Sequence, residues 1–257
     1  MAYASDSGHF YAPDGSPCYT IKGANGNERP TTLRDARKLN LYPSVTTITK
    51  CAAAPGLVNW MVDQAILSAL TLPRRPGETE DSWLARVKHD SKETARKAAD
   101  RGTKIHGALE KHFLGIPPDE DMFPHVKAVT TNLQLWFGDV KWDAERSFAH
   151  PLGFGGKCDL HAKAERIVVD FKGKDFTDPN DCKQYDEHLM QGAAYLAGFD
   201  LLEGGRFANV FVSRNKPGLV CIVEATPEDI TRGWRMFRHL LAYWQEQNRY
   251  APLKEAA

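Results

Sequence analysis

The stretch GKCDLHAKAERIVVDFKGK, residues 156–174, decides the fold because it sets charged side chains inside two apolar runs. Asp159 interrupts the first run, and Asp170 and Lys172 interrupt the second. Both runs have the residue types of strands, in which successive side chains point to opposite faces. Asp and Lys are uncommon in strands and are rarely buried without a partner. Their positions therefore point to a functional site on a sheet.

A hairpin register follows if residues 164–165 form the tip. Its pairs are Lys163 with Arg166, Asp159 with Asp170, and Cys158 with Phe171. In this register the apolar faces coincide: Cys158, Leu160 and Ala162 join Ile167, Val169 and Phe171. Directly opposed side chains have Cβ atoms about 5 Å apart, where like charges repel. A divalent cation would turn this repulsion into attraction, and oxygen-rich sites suit Mg²⁺ or Mn²⁺. The alternative is a solvated strand face with a local Asp170–Lys172 pair.

The composition describes an ordinary soluble globular chain. It has 257 residues, 42% of them hydrophobic and 26% charged, with a formal net charge of zero. The neutral charge removes the argument for nucleic-acid binding from a strongly basic chain, but it leaves local patches open. No apolar run approaches the roughly 20 residues of a membrane span. The start, MAYASDSGHF, lacks the features of a signal peptide, so we expect an intracellular, cytoplasmic protein with no membrane partner.

Helices lead along the chain and strands follow. Helical periodicity is predicted for residues 80–115 and 122–140, after one or two helices within 43–70, and a Pro-Asp-Gly-Ser turn in residues 13–16 indicates an early hairpin. Strand patterns then cover 141–150, 155–163, 166–173 and 208–214, interrupted by a helix over 181–199 and closed by a helix that Thr226 caps. The pattern predicts an α/β or α+β fold: a central mixed sheet flanked by helices. We divide it into an N-terminal extension, residues 1–40, and one domain, residues 41–257.

The helix over 181–199 carries a polar stripe. Its members recur at i, i+4, i+7 and i+11: Gln184, His188, Gln191 and Tyr195. The neighbouring stripe is apolar and includes Gly192, which permits close packing. The polar stripe faces either the carboxylates or solvent, and periodicity alone does not choose between them.

The helix over 80–115 carries His106 inside an apolar stripe. Such a histidine is more often a hydrogen-bonded core residue than a metal ligand. Gly102 lies mid-helix, where it costs roughly 1 kcal/mol against Ala, and so indicates close approach by another backbone or by a phosphate. Between Lys92 and Lys111, six basic residues, Arg101 and Lys104 among them, outnumber three acidic ones. This strip suits contacts with a phosphate backbone.

Four segments in order resemble the motifs of the PD-(D/E)XK nuclease superfamily. They are RGTKIHGALE (101–110), AERSFAHPLGFGGKCDL (144–160), VVDFKGK (168–174) and QGAAYLAG (191–198). With YPSVTTIT (42–49) and GLVNW (56–60), they look like the RecB-like exonuclease branch, which includes the mitochondrial genome maintenance exonuclease and phage-encoded relatives. The resemblance covers roughly residues 42–248 and implies a restriction-endonuclease-like core with a helical N-terminal portion.

The resemblance also implies roles for single residues. His106, Asp159, Asp170 and the backbone carbonyl of Phe171 would bind Mg²⁺ or Mn²⁺, and Lys172 would orient or activate the attacking water. Gln191 and Tyr195 would position the substrate phosphate or the lysine. Glu145 matches a strand acid with an outer-sphere or second-metal role. Arg101 and Lys104 would contact substrate, as would Lys174, which follows Gly173 where many relatives read Asp-x-Lys-Thr.

The resemblance therefore implies a metal-dependent deoxyribonuclease, most similar to exonucleases that process DNA ends. Several relatives carry an iron–sulfur cluster on three cysteines after the tyrosine motif, but only Cys221 follows Tyr195 here, so no cluster is expected. Expected partners are single-stranded DNA or duplex ends, with a recombination or single-strand-binding protein as a further partner. If the protein is phage-encoded, it acts in the host cytoplasm. Two alternatives stay open: a non-catalytic DNA-binding or recombination module of this fold, and a structure-specific endonuclease.

Overall fold

A computed structural model describes residues 8–52 and 55–252. The strands are β1 (Phe10–Tyr11), β2 (Thr20–Lys22), β3 (Glu28–Pro30), β4 (Tyr42–Pro43), β5 (Asp143–His150), β6 (Phe154–Ala162), β7 (Ile167–Lys174), β8 (Arg206–Ser213) and β9 (Val220–Glu224). The helices are α1 (Leu33–Leu39), α2 (Val45–Thr49), α3 (Pro55–Thr71), α4 (Glu80–Phe113), α5 (Phe123–Phe137), α6 (Asp186–Gly198) and α7 (Pro227–Asn248). Within these ranges, no helix combines the length and apolarity that crossing a membrane requires.

A five-stranded sheet in the order β5-β6-β7-β8-β9 forms the centre of the fold. Neighbouring strands are antiparallel except β7 and β8, which are parallel and are connected through α6. A parallel pair needs such a crossover, because a tight turn cannot reverse the chain twice. The predicted α+β class with a mixed central sheet is confirmed.

Helices cover both faces of this sheet. On one face, α4 and α5 pack over apolar side chains of β6, β7 and β8, Leu160 and Val169 among them. On the other face, α2, α6 and α7 enclose a second core around Phe154, Val168 and Phe207. β7 therefore contributes alternate side chains to two cores, which buries its middle completely.

Most predicted elements are confirmed, with three differences. The helix predicted over 181–199 begins only at Asp186, so Gln184 precedes it instead of joining its polar stripe. The sequence patterns do not predict α1 or β9. The predicted turn at residues 13–16 forms, with Tyr11 opposite Pro17. However, the strands on its two sides pair mainly with other strands: β1 pairs with β4, and β2 pairs with β3.

The hairpin register is confirmed where the ladder runs. Its pairs are Leu160 with Val169, His161 with Val168, and Ala162 with Ile167. The assignment of Cys158 to the face of Leu160, opposite Phe171, is wrong, because Cys158 lies in the core beneath α6. The alternation of side chains along β6 is broken at Asp159, since Cys158 and Leu160 lie in different cores. Glu145, which lies beside Asp159 on the neighbouring strand β5, has a positive φ of 56°. The β6–β7 ladder includes Leu160 but does not continue to Asp159.

His161 of β6 is 5% exposed, and neither ring nitrogen has a hydrogen-bond partner within the described part of the chain. Its ring stacks on Phe199 at 4.4 Å between centroids. Burial lowers the pKa of His161 below its usual value. The unfolded chain therefore binds more protons than the folded protein once the pH falls below about 6.5.

We expect wild-type stability to fall between pH 6.5 and 5, and the His161→Phe variant to lose less. The slope contributed by one proton is at most about 1.4 kcal/mol per pH unit. Urea unfolding at a series of pH values measures this difference. Parallel curves for the two proteins would contradict the prediction.

Candidate active site

β6 and β7 separate at the two aspartates. Beyond the Leu160–Val169 pair, the backbone N–H of Phe171 donates to Oδ2 of Asp159 at 2.6 Å instead of to a strand carbonyl. An Asp side chain thus satisfies a backbone donor that the interrupted ladder leaves unpaired. This bond holds the Asp159 carboxylate against β7 and beside Asp170.

Asp170 is 4% exposed, and neutral and charged donors surround its carboxylate. Oδ1 accepts from Nε2 of Gln191 at 3.0 Å, and Oδ2 accepts from Nδ2 of Asn209 at 3.0 Å. The Lys172 ammonium lies 2.8 Å from the same Oδ2. Burial raises the pKa of Asp170, and the nearby charge of Asp159 adds to the increase, whereas Lys172 opposes it.

Lys172 connects Asp170 to α6. Its Nζ donates to Oε1 of Gln191 at 2.9 Å, and Nε2 of Gln191 also donates to the hydroxyl of Tyr195 at 2.8 Å. Burial works against the ammonium, but the Asp170 carboxylate raises the pKa of Lys172 above its usual value. The polar stripe of α6 therefore faces the carboxylates at Gln191 and Tyr195. His188 lies close by, and burial with the charges of Lys172 and Lys174 lowers its pKa to about 4.

α4 brings His106 to the aspartates from the opposite face of the sheet. Its Nε2 lies 2.9 Å from Oδ1 of Asp159, and its side chain is 39% exposed. The hydrogen bond to Asp159 raises the pKa of His106 to about 9, although burial opposes the increase. A protonated imidazole thus balances Asp159, as Lys172 balances Asp170.

Glu145 lies on β5 beside this cluster and forms an ion pair with Lys157 of β6. Burial raises the pKa of Glu145, and the charges of Glu110 and Asp159 add to the increase. The strand acid is therefore near the aspartates but is bonded to a lysine.

A cavity of about 290 Å³ opens between residues 102–109 of α4 and residues 171–173 of β7. Close approach of two glycines forms its end: a Cβ added to Gly173 would lie 3.2 Å from the Cα of Gly102. The backbone approach predicted from Gly102 is confirmed, and Gly173 is its partner. His106 and Lys172 both line the cavity, which gives a ligand access to the cluster.

The three predicted substrate cations lie outside the cluster. Arg101 is exposed on α4, whereas Lys104 pairs with Asp121, in the segment between α4 and α5. Nζ of Lys174 donates to the backbone carbonyl of Asp181 at 2.6 Å. The basic strip of α4 is therefore partly neutralised, and Arg101 is the most available of the three.

Asn209 and Gln184 complete the site. The sequence patterns do not single out Asn209, and Gln184 is predicted only as a member of the polar stripe. Nε2 of Gln184 donates to Oδ1 of Asn209 at 3.0 Å, so the amide nitrogen of Asn209 must face Asp170. Asn209 is fully buried, directly beside Asp170 in the parallel β7–β8 ladder. The sequence signal that could have identified Asn209 is a polar amide side chain inside an otherwise apolar strand pattern.

The Asp159 and Asp170 carboxylates supply the oxygen ligands that Mg²⁺ and Mn²⁺ prefer, and the His106 imidazole adds a nitrogen ligand. A carboxylate has about four lone-pair positions, of which Asp159 uses two and Asp170 uses three in the described structure. However, no three His, Cys, Asp or Glu side chains in residues 8–52 and 55–252 are already spaced to hold a metal. His106 and Asp159 are bonded to each other, so binding a cation requires this bond to open and the imidazole to release its proton.

Three of the solved structures that resemble part of this chain are the following. A candidate exonuclease from Eubacterium rectale has a TM-score of 0.43 at 11% identity, covering 61% of this chain and 72% of that one. The protein SSO0001 has a TM-score of 0.29 at 16% identity, covering 47% and 58%. An alkaline exonuclease from Laribacter hongkongensis has a TM-score of 0.30 at 13% identity, covering 57% and 84%. No protein-family model and no curated protein matches the chain. Similarity at this level assigns no activity, so the function must be argued from the site.

Proposed function

We propose that this protein is a Mg²⁺- or Mn²⁺-dependent nuclease that hydrolyses DNA phosphodiester bonds, acting from strand ends. The observation that carries the proposal is the convergence of Asp159, Asp170, Lys172 and His106 where two strands separate, beside an open cavity. The resemblance of the four sequence motifs to RecB-like exonucleases supports the choice of substrate and of strand ends.

The cluster is costly for folding, which supports a functional role. Burying an ion pair such as Asp170–Lys172 commonly costs more in desolvation than the attraction returns. A well-packed apolar pair would stabilise these strands at least as well. A buried carboxylate with a raised pKa that accepts directed amide donors, such as Asp170, is typical of catalytic sites.

His106, Asp159 and Asp170 would hold the cation, and a bound Mg²⁺ or Mn²⁺ would supply Lewis-acid activation of water and phosphate. Asn209 and Gln191 hold the Asp170 carboxylate in one orientation. Lys172 has three N–H donors, of which two are used in the described structure. The third is available to a water or to a phosphate oxygen, whose developing negative charge it would stabilise.

The test compares linear and covalently closed circular DNA, single-stranded and duplex, with Mg²⁺, Mn²⁺ or EDTA. We expect release of nucleotides from linear DNA with either metal, none in EDTA, and no cutting of closed circles. Cutting of closed circles would replace the exonuclease by the endonuclease alternative.

A Lys172→Met protein, purified in the same way, controls for contaminating nucleases. Loss of its ammonium is expected to slow cleavage by about 10²-fold or more. Wild-type activity in this variant, or equal activity in EDTA, would contradict the proposal. Binding of DNA without any cleavage would favour the non-catalytic module.

A further inference from the structure

The N-terminal segment, residues 8–22, packs directly against the β5–β6 hairpin that carries Glu145 and Asp159. The Tyr11 ring covers Gly155, where an added Cβ would lie 2.8 Å from Tyr11 carbons. Gly15, with a φ of +88°, packs on the Phe148 backbone, where an added Cβ would lie 3.0 Å from its Cα. The segment is therefore fitted to this hairpin beside the catalytic cluster.

This segment presents two stacked aromatic rings at the surface. The rings of His9 and Tyr19 lie 4.5 Å apart between centroids, inclined by 28°. His9 is exposed and Tyr19 is half-buried. The Tyr19 hydroxyl lies 2.7 Å from the hydroxyl of buried Tyr11, which fixes the position of the stack. Exposed, held rings of this kind offer a flat surface to a ligand.

Two cations belong to elements that this segment contacts: the His9 carbonyl accepts from the backbone N–H of Ser44, which caps α2, at 2.9 Å, and the Tyr11 ring packs on β6. Lys157 lies on β6, two residues before Asp159, and Lys50 follows α2. Burial lowers the pKa of His9, and the charges of Lys50 and Lys157 lower it further, so the ring stays neutral at pH 7. The Lys157–Glu145 ion pair connects this group to the catalytic cluster.

We propose that His9, Tyr19, Lys50 and Lys157 form a subsite for unpaired nucleotides of the substrate strand, next to the scissile phosphate. This inference rests on the proposed function and adds the substrate class: a single-stranded segment. The rings would stack on a base, and Lys50 would contact an adjoining phosphate. Lys157 uses one of its three N–H donors in the described pair with Glu145 and could offer the others to a phosphate.

The chemistry favours unpaired nucleotides over duplex. Aromatic platforms with neighbouring cations bind single strands, because each base has a free face for stacking. In a duplex, neighbouring pairs cover all faces except those at the ends.

The test measures how the full-length protein binds fluorescein-labelled oligothymidylate in EDTA. The oligonucleotide is about 20 nucleotides long, which exceeds one binding site. The His9→Ala/Tyr19→Ala variant is expected to bind about tenfold more weakly than wild type, because both stacking rings are lost. Tyr19→Phe keeps both rings and removes only the hydroxyl contact with Tyr11, so it is expected to lose less affinity than the double variant. Tyr243→Ala removes an exposed tyrosine from α7 and serves as the matched control. Circular dichroism melting verifies that each variant is folded.

Each outcome decides the inference. Wild-type affinity in the double variant would overturn it, as would an equal loss in Tyr243→Ala or an equal loss on blunt duplex of the same length. Weaker binding in the double variant supports it even if wild type cleaves no DNA with Mg²⁺ or Mn²⁺, in which case only the proposed function fails. Cleavage by wild type with unchanged oligothymidylate binding in the double variant means that only the subsite fails.

Discussion

The Asp170→Asn protein is expected to cleave DNA at least about 10³-fold more slowly than wild type. The substitution keeps the shape of the side chain but removes the charge that pairs with Lys172 and would bind the cation. It also replaces one carboxylate oxygen by an NH₂ group, although both oxygens of Asp170 accept hydrogen bonds from the donors Gln191, Asn209 and Lys172. Either orientation of the new amide brings two donors together, so the hydrogen-bonded frame of the site is lost together with the charge.

Initial rates of nucleotide release from end-labelled linear DNA measure this effect, and anisotropy with the same DNA reports binding. Binding is expected to persist, because Asp170 is buried and the substitution removes a negative charge that repels phosphate. Asp186→Asn, an exposed carboxylate of α6 paired with Arg232, is the matched control and is expected to cleave at the wild-type rate. Wild-type cleavage by Asp170→Asn would remove the proposed catalytic role of this residue.

Gly192→Ala is expected to destabilise the protein by about 3 kcal/mol, at the upper end of overpacking effects. A Cβ at Gly192 would lie 2.2 Å from Cδ1 of Phe207. Phe207 is fully buried, so its ring cannot move aside without disturbing the core. α6 would be pushed away from β8, and with it Gln191. Urea unfolding followed by circular dichroism measures the change.

Gly107→Ala provides the matched comparison, since it is also a helical glycine but has no atom within 4 Å of an added Cβ. Relief of the helix penalty of glycine is expected to stabilise the protein by up to about 1 kcal/mol. Opposite signs for two identical substitutions would trace the effect to packing. Equal effects would contradict the role of the α6–β8 contact.

The sequence by itself determined the local elements and one register. Alternation placed Asp170 and Lys172 on one face of β7, which the structure shows to be the α6 side. The coincidence of apolar faces placed Leu160 opposite Val169. Helical spacing placed Gln191 and Tyr195 on one stripe, and the structure turns that stripe toward the carboxylates. Each of these inferences depends on residues close in the chain, whose geometry a single periodicity fixes. The metal and substrate roles of the site residues stay predictions.

Only the tertiary structure decided what surrounds Asp170 and where Cys158 points. Asn209 reaches Asp170 through a parallel pairing that the α6 crossover creates, and no local pattern specifies which residues such a pairing aligns. Cys158 lies on the α6 side because the alternation of β6 breaks at Asp159, the residue whose carboxylate accepts the Phe171 N–H where the ladder has ended. Periodicity describes a strand whose ladder continues, whereas this site is built where the ladder stops.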